Sequence, residues 1–156
     1  MHINVISNGV LQIDGAKIIY RNFAGIGSKF NREGDRNFSL LIEDESTANE
    51  LIELGWNVKI KEPREVGDTP FMHLPVKVKF NERGPKAYLY AGGPKAVELD
   101  EESIACLDDV DIMTVDLDIR PYDWEVNGKT GRTAYLQSIH VTQEVDRFAA
   151  RYRDEY

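Results

Sequence analysis

Cysteine and histidine are scarce in this sequence: Cys106 stands alone, and His2, His73 and His140 lie far apart. One thiol cannot close an internal disulfide, and dispersed histidines offer no zinc-ligand spacing, so no cofactor is expected. Long apolar runs are missing as well. No window reaches the roughly 18 to 20 apolar residues of a membrane span. The opening MHINVISNGVLQIDG lacks the basic-then-apolar order of an export signal. A soluble, cytoplasmic chain with no membrane partner is the expectation. Internal repeats and low-complexity stretches are also absent, which excludes solenoids and biased arrays.

What is present suffices for one compact domain over residues 1–156. A chain of 156 residues is short for two ordinary domains, and 42% hydrophobic with 29% charged residues permits a core beneath a solvated surface. The net charge of −8 would ordinarily argue against a nucleic-acid ligand, because phosphate neutralisation needs Lys and Arg. The charge is, however, segregated. Lys17, Arg21, Lys29, Arg32 and Arg36 face only Glu33 and Asp35 within their segment. Lys77, Lys79, Arg83, Lys86 and Lys95 face only Glu82 in theirs, while Glu98 to Asp118 holds nine acids and no base. Such blocks either build a local positive surface, which is what an anionic ligand meets, or interleave in space and cancel.

Strand patterns dominate. Val10 to Ile13 and Lys17 to Phe23, parted by Asp14-Gly15, read as a hairpin, and Asn37 to Glu43 as the next strand. Ala48, Leu51 and Ile52 then follow helical spacing, with Asp44 or Ser46 as N-cap and Gly55 as the stop. Trp56, just beyond, is a predicted core residue. Asn57 to Lys61 alternates again, and Leu74 to Phe80 alternates most cleanly, with Leu74, Val76, Val78 and Phe80 opposite Pro75, Lys77 and Lys79. Pro75 suggests a strand start or an edge. After Lys86 to Ala91, a short helix is predicted at Glu101 to Leu107, capped by Asp100. A long run from Asp111 to Val126 puts Met113, Val115, Leu117 and Ile119 on one face, turns at Asn127 to Gly131, and returns as Arg132 to Val141. Val145, Phe148, Ala149 and Tyr152 have the spacing of a closing amphipathic helix. Strands with a mid-chain helix fit a mainly β fold: an OB-like antiparallel Greek-key barrel with extra strands.

Enzymatic signals are thin. Asp109/Asp111 and Asp116/Asp118 are D-x-D pairs whose carboxylates point the same way on a strand, as a Mg-dependent nuclease would want. No E-x-K pattern accompanies them, and alternate acids more often make a solvated face. Gly25-Ile26-Gly27 lacks the strand-loop-helix context of a phosphate loop, and Cys106 lies in an apolar and acidic stretch unsuited to a nucleophile. No enzyme is expected.

Binding signals are stronger. The stretch AGIGSKFNREGDR, with Lys29, Phe30, Arg32 and Arg36, reads either as a mobile basic loop closing on an anionic strand or as a hairpin loop made soluble by charge. Lys59, Lys61, Lys77 and Lys79 form a basic strip if their strands are neighbours. Lys86 with Tyr88 and Tyr90 adds aromatics beside a cation, the combination that binds single strands with little sequence preference; the plainer reading is that both rings complete the core rim. Arg120, Tyr122 and Trp124 share a strand face leading to a glycine turn with Lys129 and Arg132, and Tyr135 returns on the other arm.

That last stretch, IRPYDWEVNGKTGRTAYLQSIHVTQE, together with LPVKVKF and NREGDRNFSLLIED upstream, resembles bacteriophage-encoded single-stranded-DNA-binding proteins with an oligonucleotide-binding fold. The resemblance implies a non-catalytic accessory of phage DNA replication or recombination, acting in the host cytoplasm. Its expected partner is single-stranded DNA, with replication or recombination proteins and a second copy of the chain as further candidates. Two other classes stand beside it: the nuclease above, and a protein-binding accessory whose acidic block mimics DNA. The ending Asp154-Glu155-Tyr156 is similar to the acidic, aromatic tails with which many such proteins dock partners. Here it follows the predicted helix, with Arg147, Arg151 and Arg153, instead of a long polar linker, and reads as a frayed helix end.

Overall fold

A computed structural model describes residues 1–82 and 84–145. Ten strands share one sheet: β1 (His2–Val5), β2 (Leu11–Asp14), β3 (Ile18–Asn22), β4 (Arg36–Ile42), β5 (Lys59–Lys61), β6 (Phe71–Val78), β7 (Lys86–Tyr90), β8 (Ala96–Leu99), β9 (Ile112–Val126) and β10 (Lys129–Gln143). Helix α1 (Glu45–Glu53) and a short 3₁₀ helix at Ile104–Asp108 accompany them. The strand order is β1-β2-β9-β10-β6-β4-β3, with β5 beside β6 and with β7 and β8 running off β10.

The core follows from alternation. On β6, Met72, Leu74, Val76 and Val78 are buried while Phe71, His73, Pro75 and Lys77 face outward. Val115, Leu117 and Ile119 of β9 meet Leu136, Ile139 and Val141 of β10 and Phe38, Leu40 and Ile42 of β4 in the same core. On β10 the register shifts between Leu136 and Ser138. Gln137 is the extra residue of a β-bulge, which moves the buried set from Ala134 and Leu136 to Ile139 and Val141 and keeps Ser138 and His140 out of the core. Helix α1 matches the expectation. The Asp44 side chain accepts from the Ser46 N–H at 3.2 Å, Ala48 and Leu51 are buried, and Gly55 turns the chain at φ 97° toward buried Trp56.

Several expectations are corrected. β2 and β3 do not form a hairpin: β2 pairs with β1 and β9, and β3 with β4. Gly15 does adopt a positive φ of 64°, but its N–H donates to Asp116 Oδ1 at 2.9 Å, so Asp14-Gly15 bends the chain without reversing it. The edge strand β3 thus follows directly along the chain from β2, which lies next to the opposite edge strand β1. The Ala16 N–H donates to the Val115 carbonyl on one side and the Leu41 N–H to the Lys17 carbonyl on the other. Because no ladder joins β2 to β3, the sheet is not a closed barrel. Nor is it wholly antiparallel. β6 and β7 follow one another along one edge of β10, in the same direction, and both pair with it in parallel.

Pro75 is mid-strand. It falls between the β5 ladder, which ends at His73, and the β10 ladder, which begins at Val76, a gap where its missing N–H costs nothing. The predicted second helix is a 3₁₀ turn starting only at Ile104, with the Asp100 carboxylate accepting from the Glu102 and Ser103 N–H groups. The turn after β9 is Asn127-Gly128 alone, at φ 51° and 78°, and Met113 is exposed. The predicted C-terminal helix and the Asp154-Glu155-Tyr156 ending lie outside the described residues.

Candidate nucleic-acid interface

The antiparallel pairing of β4 with β6 sets Lys77 opposite Asn37 and Pro75 opposite Ser39. The loop between β3 and β4 rises beside this surface, and the two enclose an open groove of ≈ 740 Å³ whose lining includes Arg32, Arg36, Lys77, Lys79, Phe80 and Tyr135. Lys77 and Lys79 are exposed and have no ion-pair partner among the described residues. Arg36 is already engaged. Its guanidinium reaches Glu101 Oε1 and the Glu101 carbonyl at 3.3 Å each, and it lies 5.8 Å from the Phe80 ring. Arg32 makes only a loose, exposed pair with Asp35 at 3.9 Å.

The loop is anchored at its base. The Phe23 and Ala24 N–H groups donate to the Asp108 carboxylate at 2.7 and 3.0 Å, and Arg21 Nη1 donates to the carbonyls of Leu107 and Val110 at 2.8 Å. Within it the Asn31 amide donates to the carbonyls of Ile26, Arg32 and Asp35. A Cβ at Gly27 would stand 2.9 Å from that of Glu33, so the two arms approach at glycine distance. The loop carries Lys29 and Phe30, and the Phe30 ring is 94% exposed.

Tyr135 connects the groove to the β9–β10 arm. It pairs in register with Lys77 on one side and Arg120 on the other. The Arg120 guanidinium sits 5.1 Å above the Tyr135 ring, and Tyr122 meets that ring edge-on at 6.0 Å. Farther out, Trp124 packs against Gly131, where a Cβ would overlap the indole ring. Tyr122 and Trp124 remain exposed, as a stacking platform requires. Lys129 is exposed beside the Asn127-Gly128 turn.

Arg132 behaves differently from its neighbours. It lies on the other face, opposite Asp123, and donates to both carboxylate oxygens at 2.7 and 3.2 Å and to the Leu54 carbonyl at 2.8 Å. It also lies 5.3 Å over the Trp56 ring. The hydrogen bond from Arg132 holds the Asp123 carboxyl below its usual range. Arg132 therefore clamps the arm to the end of α1.

β5 brings Lys59 opposite His73 and Lys61 opposite Phe71, so both lysines share the face of β6 that carries Lys77. His73 Nδ1 is 3.0 Å from Ser39 Oγ. Burial, and then the Lys59 charge, lower its pKa. Lys86, Tyr88 and Tyr90 stand apart from this surface. Lys86 pairs with Glu98 at 3.8 Å, Tyr88 stacks on His140 at 4.9 Å, and the Tyr90 hydroxyl is 3.0 Å from His140 Nδ1. Their neighbours are carboxylates, since Asp116 pairs with His140 and Asp118 with Ser138 across the ladder. Asp116 accepts from Gly15 and Asp118 from the Ser138 hydroxyl at 3.0 Å. Among the described residues no three of His, Cys, Asp and Glu gather as a metal site, Asp109 and Asp111 included. Burial, Asp109 and Asp108 raise the Cys106 pKa, away from thiolate chemistry.

Sequence reasoning put Phe80 on the apolar face of its strand, and this ring does pack in part against the core while also lining the groove. The same reasoning passed over Tyr20, Phe71 and His73 as binding residues. The outward parity of β6 carries the signal for Phe71 and His73, whereas Tyr20 has none.

The family model described as "Putative phage ssDNA-binding domain" matches residues 3–155. Among solved structures, the single-stranded DNA-binding protein from bacteriophage Enc34 is similar at a TM-score of 0.58 and 14% identity, covering 94% of this chain and 87% of that one. The same protein in complex with ssDNA gives 0.56 and 16%, over 94% and 93%. Its C-terminal truncation gives 0.55 and 14%, over 91% and 90%. At these identities the likeness is one of fold. No curated protein matches the sequence significantly.

Proposed function

The chain belongs to the putative phage ssDNA-binding domain family, and from that membership we propose that it binds single-stranded DNA without catalysis and with little sequence preference, as an accessory of phage DNA replication or recombination. One observation carries the residue-level reading: the groove with Lys77 and Lys79, unpaired among the described residues, runs through Tyr135 into the Arg120, Tyr122 and Trp124 platform. Cations of this kind neutralise phosphates and release counterions, while exposed ring faces stack on any base. Stacking of that kind needs bases already out of a duplex, which favours single strands. The acidic half of the face, around Asp116 and Asp118, keeps a backbone to the basic half by like-charge repulsion. Arg32 borders the groove on the loop side, and Lys29 and Phe30, carried on the same loop, cover a bound strand.

The deciding experiment is titration of a labelled thymidine oligomer, and of a duplex of equal length, at two salt concentrations. Single-strand affinity should exceed duplex affinity and fall as salt rises. Equal or tighter duplex binding overturns the reading.

A further inference from the structure

A second aromatic cluster stands where the groove ends. The groove lining reaches Ser39 and Pro75, and the Ser39 hydroxyl is 3.0 Å from His73 Nδ1. Beyond it, Phe71 and His73 lie 5.3 Å apart between ring centroids, on the same face of β6 as Lys77. Tyr20 from β3 packs edge-on against both, at 6.2 Å from Phe71 and 5.7 Å from His73. Lys59 and Lys61 flank the cluster from β5, and neither has an ion-pair partner among the described residues.

Tyr20 supplies the second, independent observation. Its φ is 53°, a left-handed conformation that a bulky aromatic rarely adopts, and the β3–β4 ladder skips there, between Ile19 and Asn22. The strained backbone holds a ring that is 65% exposed. Strain maintained for an exposed side chain gains no core packing, and such strain concentrates at binding sites.

We propose that Tyr20, Phe71 and His73, flanked by Lys59 and Lys61, form a second base-stacking subsite for the same single strand, reached along the outer face of β6. The inference rests on the single-strand-binding reading and extends it. From Lys77 to Phe71 the strand covers about 20 Å at about 3.3 Å per residue, so one nucleotide cannot occupy both places. Only an oligomer long enough to run the length of β6 engages the groove and the cluster together.

The test compares thymidine oligomers of about 4 and about 16 nucleotides, the two ends of the range of site sizes for a domain of this kind. Tyr20→Gly is the informative variant, because glycine adopts a positive φ without penalty and the change relieves strain. The variant should melt no lower than wild type, yet bind the longer oligomer about 5- to 150-fold more weakly, the equivalent of one lost stacked base. Its salt slope should be unchanged, since no charge is removed, and affinity for the short oligomer should be retained. Phe71→Leu should repeat the pattern. Unchanged affinity for the long oligomer in both folded variants overturns the subsite, as does an equal loss for both lengths, which places the effect in the groove. If wild type binds neither oligomer, the single-strand-binding reading itself fails, an outcome distinct from either of these.

Discussion

Trp124 and Gly131 face one another across the β9–β10 arm so closely that the indole occupies the space of the missing side chain. Gly131→Ala should therefore push the ring off its seat. The expected result is a folded protein whose affinity for single-stranded DNA falls by about 1 to 3 kcal/mol, the contribution of one stacked base. In a Trp56→Phe background Trp124 is the only remaining tryptophan. Wild-type Gly131 in that background should show emission quenched by DNA, and the alanine variant should lose most of the quenching. Equal quenching in both would end the stacking role.

Lys77 on β6 and Lys79 just past its end are both exposed, while Val76 and Val78 lie in the core, so joint replacement of the two lysines by alanine spares the packing. Without these two cations against the phosphates, the slope of log affinity against log salt should flatten by about 1.4, at about 0.7 per neutralised phosphate on a single strand. A folded double mutant with the wild-type slope would show that the groove faces something other than phosphate.

Arg132→Ala should act on the fold before it acts on DNA. Its guanidinium joins Asp123, the Leu54 carbonyl and the Trp56 ring, and losing these should cost about 1 to 2 kcal/mol of stability, read by denaturant titration. The salt slope of DNA binding should stay close to wild type, because this charge is already paired. A slope reduced as far as by loss of Lys77 would make Arg132 a phosphate contact after all.

The same clamp carries a pH signature. Asp123 has its pKa depressed by the Arg132 hydrogen bond, so its contribution is present above the unfolded value near pH 3.9 and lost as pH falls through the folded value. The stability difference between wild type and Asp123→Asn should be constant at neutral pH and shrink below about pH 4. A difference independent of pH would mean that the pair contributes nothing through its charge.

His73 gives a prediction of the same direction in a higher pH window. Burial and Lys59 lower its pKa, so the folded state loses stability as pH falls below about 6.5, where the unfolded imidazole takes up its proton more readily. Lys59→Gln should raise the His73 titration midpoint, as followed by its imidazole resonances. No shift would assign the depression to burial alone.

The elements that were legible in the sequence are those with one buried and one solvated face. β6 and α1 could be read because their alternation or helical spacing was uninterrupted, and the outward placement of Lys77 and the shared face of Arg120, Tyr122 and Trp124 came with the same parity. β1 and β8 bury little, Ile3 in part and Leu99, so they leave no periodic trace. The bend at Gly15 depends on Asp116, 101 residues away, and the engagement of Arg132 depends on Leu54 and Trp56. No local pattern encodes such partners. Tyr20 escaped notice because its positive φ breaks the alternation that would have revealed its face.

The bulge at Gln137 makes β10 a strand with two reading phases. Upstream of it, odd-numbered positions such as Tyr135 belong to the surface; downstream, even-numbered ones such as His140 do. Deleting this one residue would leave unbroken alternation from Ala134 to Val141, with Ile139 and Val141 still in the core, whereas a one-residue deletion elsewhere in the strand, with the bulge kept, would exchange inside for outside beyond it. A single-residue change of length is therefore tolerable at the bulge and elsewhere on this strand only in pairs, so the bulge is where spacing can drift without turning the strand over.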